Sequence, residues 1–176
     1  IWQSNRYFHC WKGSGHEKIN LEEAIMESCN IYFSKLGLFT GIDNIYDTAT
    51  KFGLGQKFDI NLNTKTGIVA SREWKKEKLK DVWVRGDTVN TAIGQGFTIV
   101  SPLQLAVMVS KIANGGYPIE PFLIYDSIKR KENKLLFDNE PIVKSENIDL
   151  VKKAMYMVVN EKEGTSYWNR ILEPQY

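Results

Sequence analysis

The sequence predicts a mostly helical chain of the α/β (α+β) class with a few short strands. Three observations carry that prediction. Two capping boxes open stretches of helical apolar periodicity, at Asn20-x-x-Glu23 and Ser101-x-x-Gln104. Glycines close the helical stretches, at Gly37, Gly53-x-Gly55, Gly115-Gly116 and Gly164. Strand-like runs are sparse, too few for a complete α/β enzyme, and that poverty fits a piece of a larger domain.

The elements follow in order. Residues 1–19 read as irregular and rich in aromatics and glycine: Trp2, Tyr7, Phe8, Trp11, Gly13 and Gly15. Asn20 caps a helix on which Leu21, Ala24, Ile25 and Ser28 share one inward stripe. Ser28-Cys29-Asn30 is a bend, and a short helix from Ile31 to Leu36 stops at Gly37. A third helix begins near Asp43 and turns Ile45, Tyr46, Ala49 and Phe52 inward. Residues 56–90 read mostly as loop. Ser101 caps the clearest helix, Pro102 suits its first position, and Asn114-Gly115-Gly116 ends it. Phe122 to Ile128 and Lys134 to Phe137 are extended segments, with a weak turn near Glu132-Asn133. Ser145 caps a last helix through Val159, with Ile148, Val151, Ala154, Met155 and Val158 on one face.

Composition narrows the function. The 176 residues suit one domain or a large piece of one. A hydrophobic fraction of 43% is enough for a core, so disorder is excluded. The 23 Lys and Arg against 21 Asp and Glu leave no basic field for nucleic acid. The lysines from Lys75 to Lys80 are interrupted by Glu77 and read as a solvated face. No run approaches a membrane span. The first residue is Ile1, so the sequence is expected to start in mid-protein, with any anchor upstream.

Several segments in order carry a family resemblance. They are Gly15-His16, Ser28-Cys29-Asn30-Ile31-Tyr32-Phe33, Gly41-Ile42-Asp43, Phe52-Gly53-Leu54-Gly55 and Trp74-Lys75. Next come Gly86-Asp87-Thr88-Val89-Asn90, Ile93-Gly94-Gln95-Gly96, Ser101-Pro102-Leu103-Gln104-Leu105-Ala106, Ala113-Asn114-Gly115-Gly116 and Gly164-Thr165. Any one is weak, but the ordered set resembles the transpeptidase domain of class B penicillin-binding proteins of the elongation type, often called penicillin-binding protein 2. The resemblance implies the penicillin-binding transpeptidase fold, similar to serine β-lactamases, with residues 1–176 as its central part.

The family works with three motifs: Ser-x-x-Lys for the nucleophile and its activating lysine, Ser-x-Asn, and a Lys-Thr-Gly strand. Only the second is clearly present. No serine here is followed by lysine three positions later; Ser127-Ile128-Lys129-Arg130 comes nearest, and arginine cannot act as a base. The resemblance therefore places the Ser-x-x-Lys helix upstream. It places the Lys-Thr-Gly strand just past Tyr176, because Glu173-Pro174-x-Tyr176 resembles the segment leading into it. A literal Lys65-Thr66-Gly67 lies 35 residues past Asn30, too early for the third motif, and reads as a turn.

The resemblance gives Ser28 the role of a hydroxyl in the proton path to the leaving amine. It gives Asn30 that of an amide holding the substrate. The bland alternative packs Ser28 inside and lets Asn30 cap the next helix. Cys10, His16 and Cys29 form a second constellation, Cys-x5-His-x12-Cys. Thiolate and imidazole are zinc ligands, and a tetrahedral ion needs four. His9 or an acidic residue upstream would be the fourth. A Cys10–Cys29 disulfide and two packed thiols stand beside the structural zinc as readings. Gly94-Gln95-Gly96 lacks the lysine and spacing of a phosphate loop, and its glycines read as permitting close backbone approach. Asp87 reads as a turn residue. The aromatics of the first stretch read as core rather than as a glycan or peptide groove.

By this resemblance the parent is a D,D-transpeptidase that cross-links peptidoglycan stem peptides through a serine acyl-enzyme. No cofactor is required for acyl transfer. β-Lactams acylate the same serine, and the isolated chain is expected to be inert. The expected partners are stem peptides, a membrane glycosyltransferase and shape-determining proteins, at the periplasmic face of the bacterial inner membrane. The runner-up is a non-catalytic module that senses or scaffolds wall peptides. A serine β-lactamase shares Ser-x-Asn but not the run from Gly86 to Gly116.

Overall fold

The computed structural model describes residues 1–124 and 139–171. Within them lie one small hairpin, seven α-helices and a short 3₁₀ turn. The hairpin pairs β1 (Trp2–Gln3) with β2 (Arg6–Tyr7), antiparallel, Trp2 opposite Tyr7. The helices are α1 (Leu21–Met26), α2 (Asn30–Thr40), α3 (Ile42–Lys51), α4 (Arg72–Leu79), α5 (Arg85–Thr91), α6 (Pro102–Ala113) and α7 (Ser145–Asn160). The 3₁₀ turn is Tyr167–Asn169. No helix among the described residues is long and apolar enough to cross a membrane.

Where start signals are local, chain and expectation agree. Both bonds of the Asn20–Glu23 box are made, at 2.9 and 2.8 Å. So are both bonds of the Ser101–Gln104 box. Gln104 is fully buried, and its amide also donates to the carbonyls of Gln56 and Thr66 at 2.7 and 2.8 Å. One side chain thus pins the loop after α3 to the start of α6.

Several expectations are corrected. The first stretch is not wholly irregular: Ser4 and Asn5 both take positive φ and close a two-residue hairpin turn. Its aromatics are not core either. Trp2, Tyr7 and Trp11 are exposed and only Phe8 is buried, because two-residue strands have no second layer to bury both faces. Trp2 and Tyr7 instead pack against each other at a tilt, with ring centroids 4.6 Å apart. The helix after the bend does not stop at Gly37 but runs to Thr40. Gly37 faces Ala92, and a Cβ there would collide with the Ala92 side chain. The glycine is a packing residue that lets α2 and α5 approach, not a stop.

Residues 56–90 hold two helices, α4 and α5, where loop was expected. Ser71 caps α4 by accepting from the Trp74 N–H. Lys75 is not on a solvated face. It is 5% exposed, and its ammonium meets Asp87 at 2.8 Å and Asp81 at 2.9 Å while donating to the Val82 carbonyl. Asp87 also accepts from the Val84 N–H, so it is a helix cap and ion partner together. Beside this clamp Trp83 packs with Ile42 and Ala70 and donates to the Thr88 hydroxyl. Gly94 and Gly96 both take positive φ, and a Cβ on Gly94 would meet nothing within 4 Å, so conformation rather than close approach explains Gly94. Helix α7 has Lys144 at its N-cap; Ser145 is already helical and its hydroxyl sits one residue too late to cap. Of the extended segments, 125–128 and Lys134 to Phe137 lie outside the described residues, as do the turn at Glu132-Asn133, Ser127-x-x-Arg130 and the segment from Glu173 to Tyr176.

The Ser28 bend and the thiol–imidazole cluster

Helix α1 ends at Met26, so Ser28 does not continue its inward stripe. Ser28 is exposed, with φ at +52°. A non-glycine residue there costs energy and needs neighbours to hold it. Two groups do so. The Trp11 indole N–H is shared between the carbonyls of Glu27 at 2.9 Å and Ser28 at 3.1 Å. Across the bend, the Thr165 N–H donates to the Met26 carbonyl at 3.2 Å, and the Thr165 hydroxyl lies 3.3 Å from that of Ser28. Gly164 makes the second approach feasible, since a Cβ there would strike the carbonyls of Met157 and Val158 at the end of α7.

The cap of α2 is not Asn30. Cys29 takes that place, its sulfur 3.5 Å from the Tyr32 N–H that it accepts from. Asn30 is the first helical residue, half-buried, and its amide makes no hydrogen bond to the described residues. The hydroxyl of Ser28 and the amide of Asn30 therefore flank a buried sulfur, both uncommitted to holding the helix.

That sulfur belongs to the second constellation. One ligand atom each from Cys10, His16 and Cys29 lies within 4.8 Å of the others. Cys10 Sγ is 3.4 Å from His16 Nδ1. A tetrahedral zinc, with Zn–S about 2.3 Å and Zn–N about 2.0 Å, places sulfur and nitrogen about 3.5 Å apart, so the donor set fits. Both cysteines are free thiols. His9 does not join the cluster; it is exposed, with its ring against Tyr7. The His16 side chain is 2% exposed, and its Nε2 has no hydrogen-bond partner, with Glu27 Oε2 3.6 Å away. Glu27 is held by Lys12 at 3.0 Å. A carboxylate on that side favours the tautomer whose Nδ1 lone pair faces the thiols. Burial raises the Cys10 thiol, but the N–H groups of Lys12, Asn30 and Ile31 and the Cys29 thiol outweigh it and hold Cys10 below its ordinary value. Burial pushes the Cys29 thiol up, and neighbouring Cys10 adds to that.

Lys65-Thr66-Gly67 has no part in the bend. The Thr66 carbonyl accepts from Gln104, and Ile68 pairs with Ile99. Gly67 takes φ +63° where a Cβ would meet the Ile99 carbonyl oxygen. The tripeptide is a connecting segment held by these contacts, and the turn expected there is not formed. Two residues at the bend carry roles that the sequence does not disclose, Trp11 and Thr165. Gly164-Thr165 is visible as a family segment, but its contact across 137 residues is not.

Comparison with known proteins follows the same outline. Residues 1–173 match the family model for the penicillin binding protein transpeptidase domain. Peptidoglycan D,D-transpeptidase MrdA of Salmonella typhimurium is 31% identical over 173 residues, covering 93% of this chain and 27% of that protein. Penicillin-binding protein 2 of Helicobacter pylori, solved in complex with MreC, superposes with a TM-score of 0.80 at 31% identity, covering 96% of this chain and 31% of that one. Penicillin-binding protein 2 of Pseudomonas aeruginosa, solved with WCK 5153, superposes at 0.79 with 31% identity, covering 95% and 39%. The chain thus spans about a quarter of the length of the curated relatives it matches. With its helices, its bend and its ordered segments in that register, this chain belongs to the penicillin-binding protein transpeptidase domain family.

Proposed function

We propose that this chain supplies the Ser-x-Asn face of a serine D,D-transpeptidase that cross-links peptidoglycan stem peptides and is acylated by β-lactams. The observation that carries the reading is the exposed bend. Ser28 is held there in a strained conformation, and the Asn30 amide is left free because Cys29 caps α2. The nucleophilic serine and its lysine come from a Ser-x-x-Lys segment of the whole protein, since no such spacing occurs in these 176 residues. That serine attacks the carbonyl of the stem peptide's D-Ala-D-Ala bond; the C–N bond breaks, and the proton from the serine reaches the leaving amine. Ser28 stands in that proton path, and Asn30 donates its amide to the substrate backbone. An amine of a second strand then takes the acyl group.

Cys10, His16 and Cys29 would hold a structural zinc in the same reading. Such an ion would tie the 10–16 loop to the bend through Cys29. It activates no water. The protein works at the periplasmic face of the bacterial inner membrane beside a shape-determining protein, as the Helicobacter relative's complex with MreC supports. A membrane glycosyltransferase is its further partner.

The test is intact-mass analysis after incubation with benzylpenicillin. The full-length protein is expected to gain one adduct and the 176-residue chain none. No adduct on the full-length protein would leave a wall-peptide sensor or scaffold instead of an enzyme. For the metal, protein purified without chelator carries about one zinc per chain. Reduced protein with none would remove the zinc assignment.

A further inference from the structure

We infer that Thr165 is a positioning residue for Ser28, fixing the direction in which the Ser28 hydroxyl presents its proton. This rests on the proposed role of Ser28. The two hydroxyl oxygens lie 3.3 Å apart, and the backbone of Thr165 is itself anchored to the end of α1 through the Met26 carbonyl. The anchor is not incidental. Gly164 sits against the end of α7, where any side chain would collide with its carbonyls, so the chain enters the bend along one path. Helix α7 packs along α1, tied at the surface by Lys153 and Glu22 at 2.9 Å. Thr165 is thus delivered to Ser28 by a helix packed on the helix that leads into the bend.

The chemistry selects the direction of this contact. A serine hydroxyl has one proton to donate and two lone pairs to accept with. If Ser28 donates to Thr165, its only proton is spent and it passes nothing to the leaving amine. If Thr165 donates, Ser28 keeps its proton for the leaving nitrogen and one lone pair for the proton arriving from the lysine. Each proton handed on is replaced by one received, and Ser28 ends as it began. Thr165 itself touches no reacting atom. At 3.3 Å the contact is long for O–H···O, as expected of a catalytic hydrogen bond before substrate tightens it.

The experiment uses the full-length protein and a chromogenic cephalosporin, followed by stopped flow to separate the acylation step from the preceding binding. Thr165→Val keeps the shape and removes the hydroxyl; Thr165→Ser keeps the hydroxyl. Acylation in Thr165→Val is expected to fall about tenfold to a hundredfold with binding unchanged, and Thr165→Ser to recover most of it. In a Ser28→Ala background, Thr165→Val is expected to change nothing more. Wild-type acylation by Thr165→Val, or an equal loss in Thr165→Ser, would overturn the inference while leaving the transpeptidase reading intact. A wild-type protein that takes no cephalosporin would remove both.

Discussion

Two polar regions of this chain look alike in sequence and behave as opposites in the fold. At the α4–α5 junction, Lys75, Asp87, Trp83 and Thr88 are drawn inward and satisfied by one another. At the Ser28 bend, an exposed hydroxyl and a half-buried amide sit on a backbone that Trp11 and Thr165 brace beside the bend's own hydrogen bonds to Ala24 and Ile25. The contrast teaches how to separate stability from chemistry. A buried polar group with every partner supplied holds the fold, and removing one partner strands the other. An accessible polar group on a strained backbone has been paid for elsewhere and is free to meet a substrate.

That contrast breaks most sharply if the two regions fail to separate on mutation. Ser28→Ala in the full-length protein is expected to slow penicillin acylation by about a hundredfold or more, as loss of a proton-path group does, with the thermal midpoint unmoved. Parallel acylation kinetics and calorimetry check both halves. Lys75→Ala is expected to do the reverse, costing about 3 kcal/mol because the largely buried Asp87 carboxylate keeps its Val84 N–H but loses its counter-ion. Urea titration measures it, and a cost near zero would show that the pair is not holding α4 to α5. Gly37→Ala comes next, at about 1–3 kcal/mol from forcing α2 away from Ala92. A neutral result there would mean the two helices have slack. Asp81→Asn is expected to have the smallest effect on the urea midpoint, since that carboxylate is largely in water.

The clamp also has a pH signature. Burial pulls the Lys75 ammonium down, but Asp87 and Asp81 outweigh it and hold the group above its ordinary value. A cation whose folded value is raised lends stability that is complete below the unfolded value of about 10.4. That stability drains away as pH rises through the folded value. The gap in stability between wild type and Lys75→Met is therefore expected to close only on the alkaline side of that window. A gap that stays constant through it would place the effect in packing rather than charge.

The same two regions show what a sequence makes legible. The helix starts at Asn20 and Ser101 are readable because cap and third residue lie within one turn. The Ser-x-Asn bend is readable because the motif is local and sits in an ordered set of family segments. The Cys10–His16–Cys29 cluster is readable as a donor set, though spacing alone does not exclude His9, which the fold turns away. What is not readable depends on distant partners. Lys75 in a run of charged residues looks solvated until Asp87, twelve residues on, folds over it. Gly37 looks like a stop until Ala92 arrives against it. Thr165 meets Ser28 only because α7 packs on α1, and no local pattern encodes that contact.

The placement of Ser28 and Asn30 against substrate is tested most directly by the structure of the full-length protein acylated by a penicillin. The Asn30 amide nitrogen is expected within about 3.2 Å of the adduct's amide carbonyl oxygen, with the Ser28 hydroxyl on the side of the leaving nitrogen. An adduct seated away from the bend, with Ser28 and Asn30 both facing only water, would contradict it.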